Sequence, residues 1–243
     1  MLYISAGSKQ YHGALQYAVI AASHFVDLMY VETDSSNLAL LRALKTVHPA
    51  IIYVTAAQRR RYLRRSDCLL LGPGLGRTAT AKRLARALLV HPQRPAATVI
   101  DADVLHMFHK RDLTAGTILT PHPGEYKAVF GAISPVELSQ QIPAVILAKG
   151  EKAAICQNGQ CQYNTTGIAR FTKGGIGDVL AGVTAALAAT NPPYLAACAA
   201  SLVVSRTVLR LQHSYGTNLA TLTLAEQLPL TLKPYQTVRS RAR

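Results

Sequence analysis

Short, almost wholly apolar runs that end in glycine or an acid, each followed by a helical stretch, constrain this chain most. Cys68–Leu71 (CLLL) leads into Gly72-Pro73-Gly74-Leu75-Gly76 and then a helix-like segment from Thr78 to about Val90. The same grammar opens the chain, with a strand over Leu2–Ala6, the turn GSKQYHGA and a helix through about Ala22. It recurs at Val26–Val31, Ala50–Val54, Thr98–Ile100, Thr117–Leu119 and Val145–Leu147. Strands apolar on both faces must be covered on both faces, and strands separated by helices pair in parallel. The expected fold is α/β: a mostly parallel central sheet with helices on both faces, forming a single domain over residues 1–230. A basic, flexible tail follows at 231–243.

Local signals add detail. Ser35 or Ser36 is expected to cap a helix reaching about Thr46, and Asp103 to cap Val104–His109. Asn158-Gly159 joins two short strands, Ala153–Cys156 and Gln160–Tyr163, as a hairpin. Helices are expected over Pro193–Gln212 and Asn218–Gln227.

A content of 49% hydrophobic and 16% charged residues in 243 excludes a disordered chain. No apolar run reaches the ~18 residues of a membrane span. Met1 leads into LYIS with no basic segment before it, so no signal peptide is read and a cytoplasmic location is expected. The four cysteines have no zinc spacing and are read as buried thiols, although Cys156 and Cys161 flank the hairpin turn and can face each other. Net charge is +14, concentrated at Arg59–Arg61, Arg64, Arg65 and Arg239, Arg241, Arg243. Such a surface suits nucleic acid or a polyanionic small substrate. The lack of Trp and the few Phe leave no stacking platform, which disfavours nucleic acid.

The chemistry concentrates at strand ends, where open α/β sheets place ligands. Phe171–Leu187 (FTKGGIGDVLAGVTAAL) carries Gly174, Gly175 and Gly177 in four residues, then Asp178, then a helix. Backbone N–H groups in a glycine turn and at a helix amino end suit a phosphate. A carboxylate beside them has a task if it takes a proton from a hydroxyl that attacks phosphorus. TPHPGE (Thr120–Glu125) presents His122 from a loop stiffened by two prolines, with Glu125 in the next first turn. DADVL supplies Asp101 and Asp103, each open to metal or substrate contact or to helix capping. Lys149-Gly150 offers a point charge for phosphate and a close backbone approach.

GSKQYHGA, LLLGPGLG, VIDADVL, ILTPHPGE, ILAKGEKAAI and GGIGDVLAG, in that order from about Tyr3 to Leu228, resemble the NAD(P)H-hydrate dehydratase family of the ribokinase-like superfamily. The resemblance implies a ribokinase-like fold and a repair lyase for NADHX and NADPHX, cofactors hydrated at C6 of the nicotinamide ring. ADP is the implied cosubstrate, giving AMP and phosphate, with ATP used by eukaryotic members. It implies that Ala14, Gly74 or Gly76, and His122 hold the hydrated dinucleotide. Lys149, Gly150, Glu151, Lys152 and Ala153 line the adenine nucleotide. Gly177 meets its phosphate and Asp178 meets the hydrate. Glu125 resembles an acid that organises Mg²⁺. Asp178 as base and the Gly174–Gly177 backbone, Gly175 included, as anion hole form the implied catalytic device. A homo-oligomer such as a tetramer is also implied. Ile176 stands where the family has Ser or Thr, and His106 where it has Asn. Two other readings remain: an ATP-dependent ribokinase-like kinase, and a non-catalytic nucleotide- or nucleic-acid-binding protein.

Overall fold

The computed structural model describes residues 1–166 and 173–235. Residues 167–172, just before the glycine turn, and the tail arginines 239, 241 and 243 lie outside the described residues. Nine strands form one sheet: β1 (Leu2–Ser5), β2 (Met29–Glu32), β3 (Ile51–Tyr53), β4 (Cys68–Leu71), β5 (Ala97–Ile100), β6 (Thr117–Leu119), β7 (Val145–Ala148), β8 (Ala153–Gln157) and β9 (Gln160–Asn164). Their order is β3-β2-β1-β4-β5-β6-β7-β8-β9. Pairing is parallel up to β7, and the β7–β8 and β8–β9 pairings are antiparallel, so that β8 alone runs against the other described strands. The expected mostly parallel sheet is present.

Alternate residues of each strand enter different cores. On one face, Leu2, Ile4, Met29, Val31 and Leu70 pack with α1 (His12–Ser23), α2 (Leu38–Val47), α7 (Ile176–Ala188) and α8 (Pro193–Tyr215). On the other, Tyr3, Tyr30, Leu69 and Leu71 pack with α3 (Arg59–Leu63), α4 (Ala79–Leu89), α5 (Pro123–Phe130) and α6 (Pro135–Gln141). α8 is long and apolar enough to cross a membrane by length and composition, but 56% of that window is buried within this fold.

α1 and α7 approach closely. A Cβ built on Gly182 would stand 2.5 Å from the Ala18 carbonyl oxygen, so α7 meets the α1 backbone where it lacks a side chain. Gly182→Val is expected to lower the unfolding free energy by about 2–3 kcal/mol, measurable by denaturant titration.

Several local expectations differ from the structure. Asp34, not Ser35 or Ser36, makes the cap, accepting from the Ser36 N–H at 2.9 Å; a 3-10 turn then precedes α2. Asp103 lies within a 3-10 turn, Ala102–His106, and pairs with Arg77 at 2.6 Å instead of capping a helix. Asn218–Gln227 is not one helix: α9 spans Thr221–Glu226 and α10 spans Leu228–Leu232, with Pro229 opening the second. α6 was not expected, although SPVE carries its capping box, with Ser134 and Glu137 each bonding the other's backbone N–H. Cys156 and Cys161 are not thiols: they pair directly across β8 and β9 and form a disulfide. Cys68 is the buried thiol the composition suggests.

Candidate active site

Strand order reverses between β1 and β4, so their carboxyl ends open a crevice at the topological switch point. The loops after β1, β4, β5, β6 and β7 all emerge on that edge, and the amino end of α7 faces them.

Asp101 ends β5 and is buried. Its Oδ1 accepts from Lys149 Nζ at 2.7 Å and from Thr120 Oγ1 at 2.7 Å. Lys149 follows β7, and its backbone N–H donates to the Pro121 carbonyl at 2.8 Å, fastening the lysine to the TPHPGE loop. In that loop His122 is the N-cap of α5. Its Nδ1 accepts from the N–H groups of Gly124 (3.0 Å) and Glu125 (3.2 Å). A neutral ring used in this way keeps its proton on Nε2, which lies 3.4 Å from Glu125 Oε1. Glu125 Oε2 accepts in return from the His122 N–H at 2.8 Å. The prolines and this capping box fix the position of both side chains.

Gly175, the N-cap of α7, has a left-handed φ of +94°, and the Ile176 N–H that follows makes only a long 3.5 Å bond to the Lys173 carbonyl. No side chain caps α7, so its first N–H groups lack intrahelical acceptors and face outward with the positive end of the helix dipole. The turn is braced from behind: Thr221 Oγ1 donates to the Gly174 carbonyl at 2.8 Å, and Tyr17 packs against Gly175. Ile176 is partly buried and packs against the core. Gly177 lies against the ammonium of Lys149; a Cβ there would stand 3.4 Å from Nζ.

Asp178 sits in the first turn. Its carboxyl is pushed up to about 7, first by burial, then by the negative charges of Asp101 and Glu125, with Lys149 pulling the other way. A carboxylate held near neutrality is suited to take a proton from a hydroxyl and pass it on. Base, cation and open N–H groups thus converge at one strand-end cluster.

Of the residues proposed for the hydrated dinucleotide, Gly74 rests on Ala14 and Tyr11, and Gly76 lies near Ser8 and Tyr11. They form one lip of the crevice. Gly150 and Ala153 bracket the turn from β7 to β8. Glu151 and Lys152 between them are exposed, and Lys152 Nζ stands 4.4 Å over the Tyr163 ring. Sequence reasoning missed the Asp101–Lys149 pair, Thr120, Tyr17 and Thr221. Each acts across the fold, and no local spacing signals it. Arg59 of the basic run is not free: it makes two bonds to the buried Glu32, at 2.6 and 3.0 Å.

The model of the family described as NAD(P)H-hydrate dehydratase matches residues 2–230. The bifunctional NAD(P)H-hydrate repair enzyme Nnr of Pyrobaculum aerophilum is 30% identical over 96% of this chain and 50% of its own length. The chain thus spans about half the length of that curated relative. The ADP-dependent (S)-NAD(P)H-hydrate dehydratase of Listeria monocytogenes is 30% identical over 95% of this chain and 86% of its own. Among solved structures, a ribokinase-like superfamily protein from Enterococcus faecalis superposes with a TM-score of 0.84 at 22% identity, over 96% of this chain and 87% of that one. The ADP/ATP-dependent NAD(P)H-hydrate dehydratase of Bacillus subtilis, co-crystallised with ATP and Mg²⁺, gives 0.79 at 22%, over 97% and 89%. The fold is ribokinase-like. With the family match running through every strand-end loop just described, the chain belongs to the NAD(P)H-hydrate dehydratase family.

Proposed function

We propose that this chain restores NADH and NADPH from NADHX and NADPHX, using ADP and releasing AMP and phosphate. The observation that carries this reading is Asp178, a carboxylate raised to about 7 beside an uncapped helix amino end and the Lys149 ammonium. Asp178 takes the proton of the C6 hydroxyl as its oxygen bonds to the β-phosphorus of ADP. The bond from that phosphorus to the bridging oxygen breaks and AMP leaves. The N–H groups from Gly175 to Gly177 and Lys149 stabilise the charge on the transferring phosphoryl group. The ring nitrogen then expels phosphate from C6, where hydroxide is a poor leaving group. Loss of a C5 proton restores the dihydronicotinamide. Ala14, Gly74, Gly76 and His122 hold the hydrated dinucleotide, and Lys149–Ala153 line the adenine nucleotide.

Ile176, in the place of a family Ser or Thr, supports an anion hole made of backbone. Its side chain packs partly buried against the core and carries no hydroxyl, so phosphate would meet N–H groups there. Mg²⁺ belongs to this proposal. Among the described residues no three His, Cys, Asp or Glu side chains form a metal cage. An ion carried on phosphates and water needs only one or two carboxylates, and Glu125, in the first turn of α5, would supply one. Bound there, Mg²⁺ would neutralise phosphate charge. NAD(P)H is an intracellular cofactor, which supports action in the cytoplasm. Leu195 and Leu202, seven apart on α8 and exposed, support a homo-oligomer such as a tetramer, which sedimentation would measure.

The direct test is consumption of NADHX with ADP or ATP, read as the return of dihydronicotinamide absorbance. No return with either nucleotide rejects the proposal. A base must be ionised, so turnover is expected to rise with pH and level off above about 7. Lys149 lowers the Asp178 pKa. Lys149→Met is therefore expected to move that rise to higher pH, and to weaken ADP affinity by about tenfold through loss of a charged phosphate contact.

A further inference from the structure

Beyond the glycine loop, an open cleft of about 1410 Å³ lies over the ends of β1 and β2 and against α4. The dehydration chemistry described above does not use it. It is nevertheless continuous with the site. Tyr11, Leu75 and Gly76 line it, and Tyr11 also touches Gly74 on the lip that includes Ala14. Only β4 separates β1 from β5, the strand that ends at Asp101. Two strand spacings are about 10 Å, a span that half of an extended dinucleotide covers.

The lining suits the other half of such a molecule. Leu84 and Ala87 on α4 give an apolar wall, and the half-exposed Tyr11 ring offers a stacking face. The ionic groups divide into spent and unspent. Glu32 accepts from Tyr3 and Arg59, and Arg77 is held by Asp103. Asp34, also on the lining, accepts from the Ser36 N–H and hydroxyl and feels the charge of Lys9; among the described residues neither Lys9 nor Arg83 makes an ion pair within 4 Å, and Arg83 meets only the Thr80 hydroxyl, at 3.3 Å. Thr78 and Thr80 line the cleft at the amino end of α4, whose first turn has no acid and where Thr78 Oγ1 accepts from the Ala81 N–H at 3.1 Å, leaving the earlier N–H groups uncapped. Two unspent cations beside such a helix end suit a phosphate.

We propose that this cleft takes the adenosine end of the hydrated dinucleotide, with Arg83 and Lys9 receiving a 2′-phosphate, so that the chain prefers NADPHX to NADHX. The diphosphate passes over the glycine loop, where backbone comes closest, and the next phosphate along the molecule reaches the cleft. This inference rests on the proposed substrate class, but its test separates the two. With excess ATP holding the adenine-nucleotide site, calorimetry is expected to show 2′,5′-ADP binding about tenfold or more tighter than 5′-AMP, as a charged contact gives. The double variant Lys9→Ala/Arg83→Ala removes that margin. In turnover it raises KM for NADPHX about tenfold and KM for NADHX no more than about twofold. Equal binding of the two probes by the wild-type chain, or equal KM changes for the two hydrates, overturns the subsite. Selective binding of 2′,5′-ADP without turnover of either hydrate keeps the subsite and removes the activity.

Discussion

Asp178→Asn is expected to lower kcat by about 10³–10⁴-fold, the upper part of what general base catalysis contributes. Affinity for ADP should stay within about threefold, because the N–H groups that meet phosphate are backbone. The amide fits the same space but cannot take a proton. A check on folding comes from the same carboxyl. Its folded pKa of about 7 lies above its unfolded value, near 3.9. The folded wild-type chain therefore holds a proton that the unfolded chain has lost between those values, and it loses stability as pH rises through that window. Asn has no such loss. The variant should be the more stable chain above pH 7, by a margin that opens between pH 4 and 7 and then stays constant. Denaturant titrations at several pH values measure this. Wild-type turnover in the variant removes Asp178 from the mechanism.

Gly175→Ala is expected to be the second severe change, with kcat down by about 10²–10³-fold, as for loss of one anion-hole donor. The backbone there has φ of +94°, and a Cβ would stand 2.3 Å from Tyr17 Cε2 and 3.1 Å from Thr221 Cγ2. The new methyl must push the turn away from its brace, so the N–H groups at the head of α7 lose their aim. Tyr17→Leu in the same background makes room behind the turn and is expected to return part of the lost rate. No recovery would mean that the left-handed backbone angle alone carries the defect. Steady-state kinetics with saturating ADP reads both variants.

Much of this was legible in the chain because the informative features are local. CLLL followed by GPGLG is a buried strand and a tight exit, and β4 ends at Leu71 as the pattern predicts. TPHPGE states a stiff loop through its two prolines, whereas the capping box between His122 and Glu125 emerges in the structure. GGIGD states an uncapped helix start. The lysine partner of Asp101 lies 48 residues away, and the residues bracing the glycine turn come from α1 and α9. Such contacts depend on which strands become neighbours, and a single sequence does not encode that in any local spacing. The disulfide was misread for a related reason. Facing positions in a hairpin permit a bond, and composition alone favoured thiols. α6 is different: its signal, SPVE, was present and local.

The close crossing of Gly182 over Ala18 has a mechanical consequence. α1 carries Ala14 and Tyr17, α7 carries Asp178, and the two helices touch backbone to backbone. In the proposed mechanism, proton acceptor and hydrate-holding turn would therefore form one stiff lever, and the turn between β7 and β8, proposed to line the adenine nucleotide, is a separate element. The distance between lever and turn would then set how the two proposed substrates meet. A variant that loosens the crossing, such as Gly182→Val, should blur that distance and slow transfer at temperatures where the chain is still fully folded.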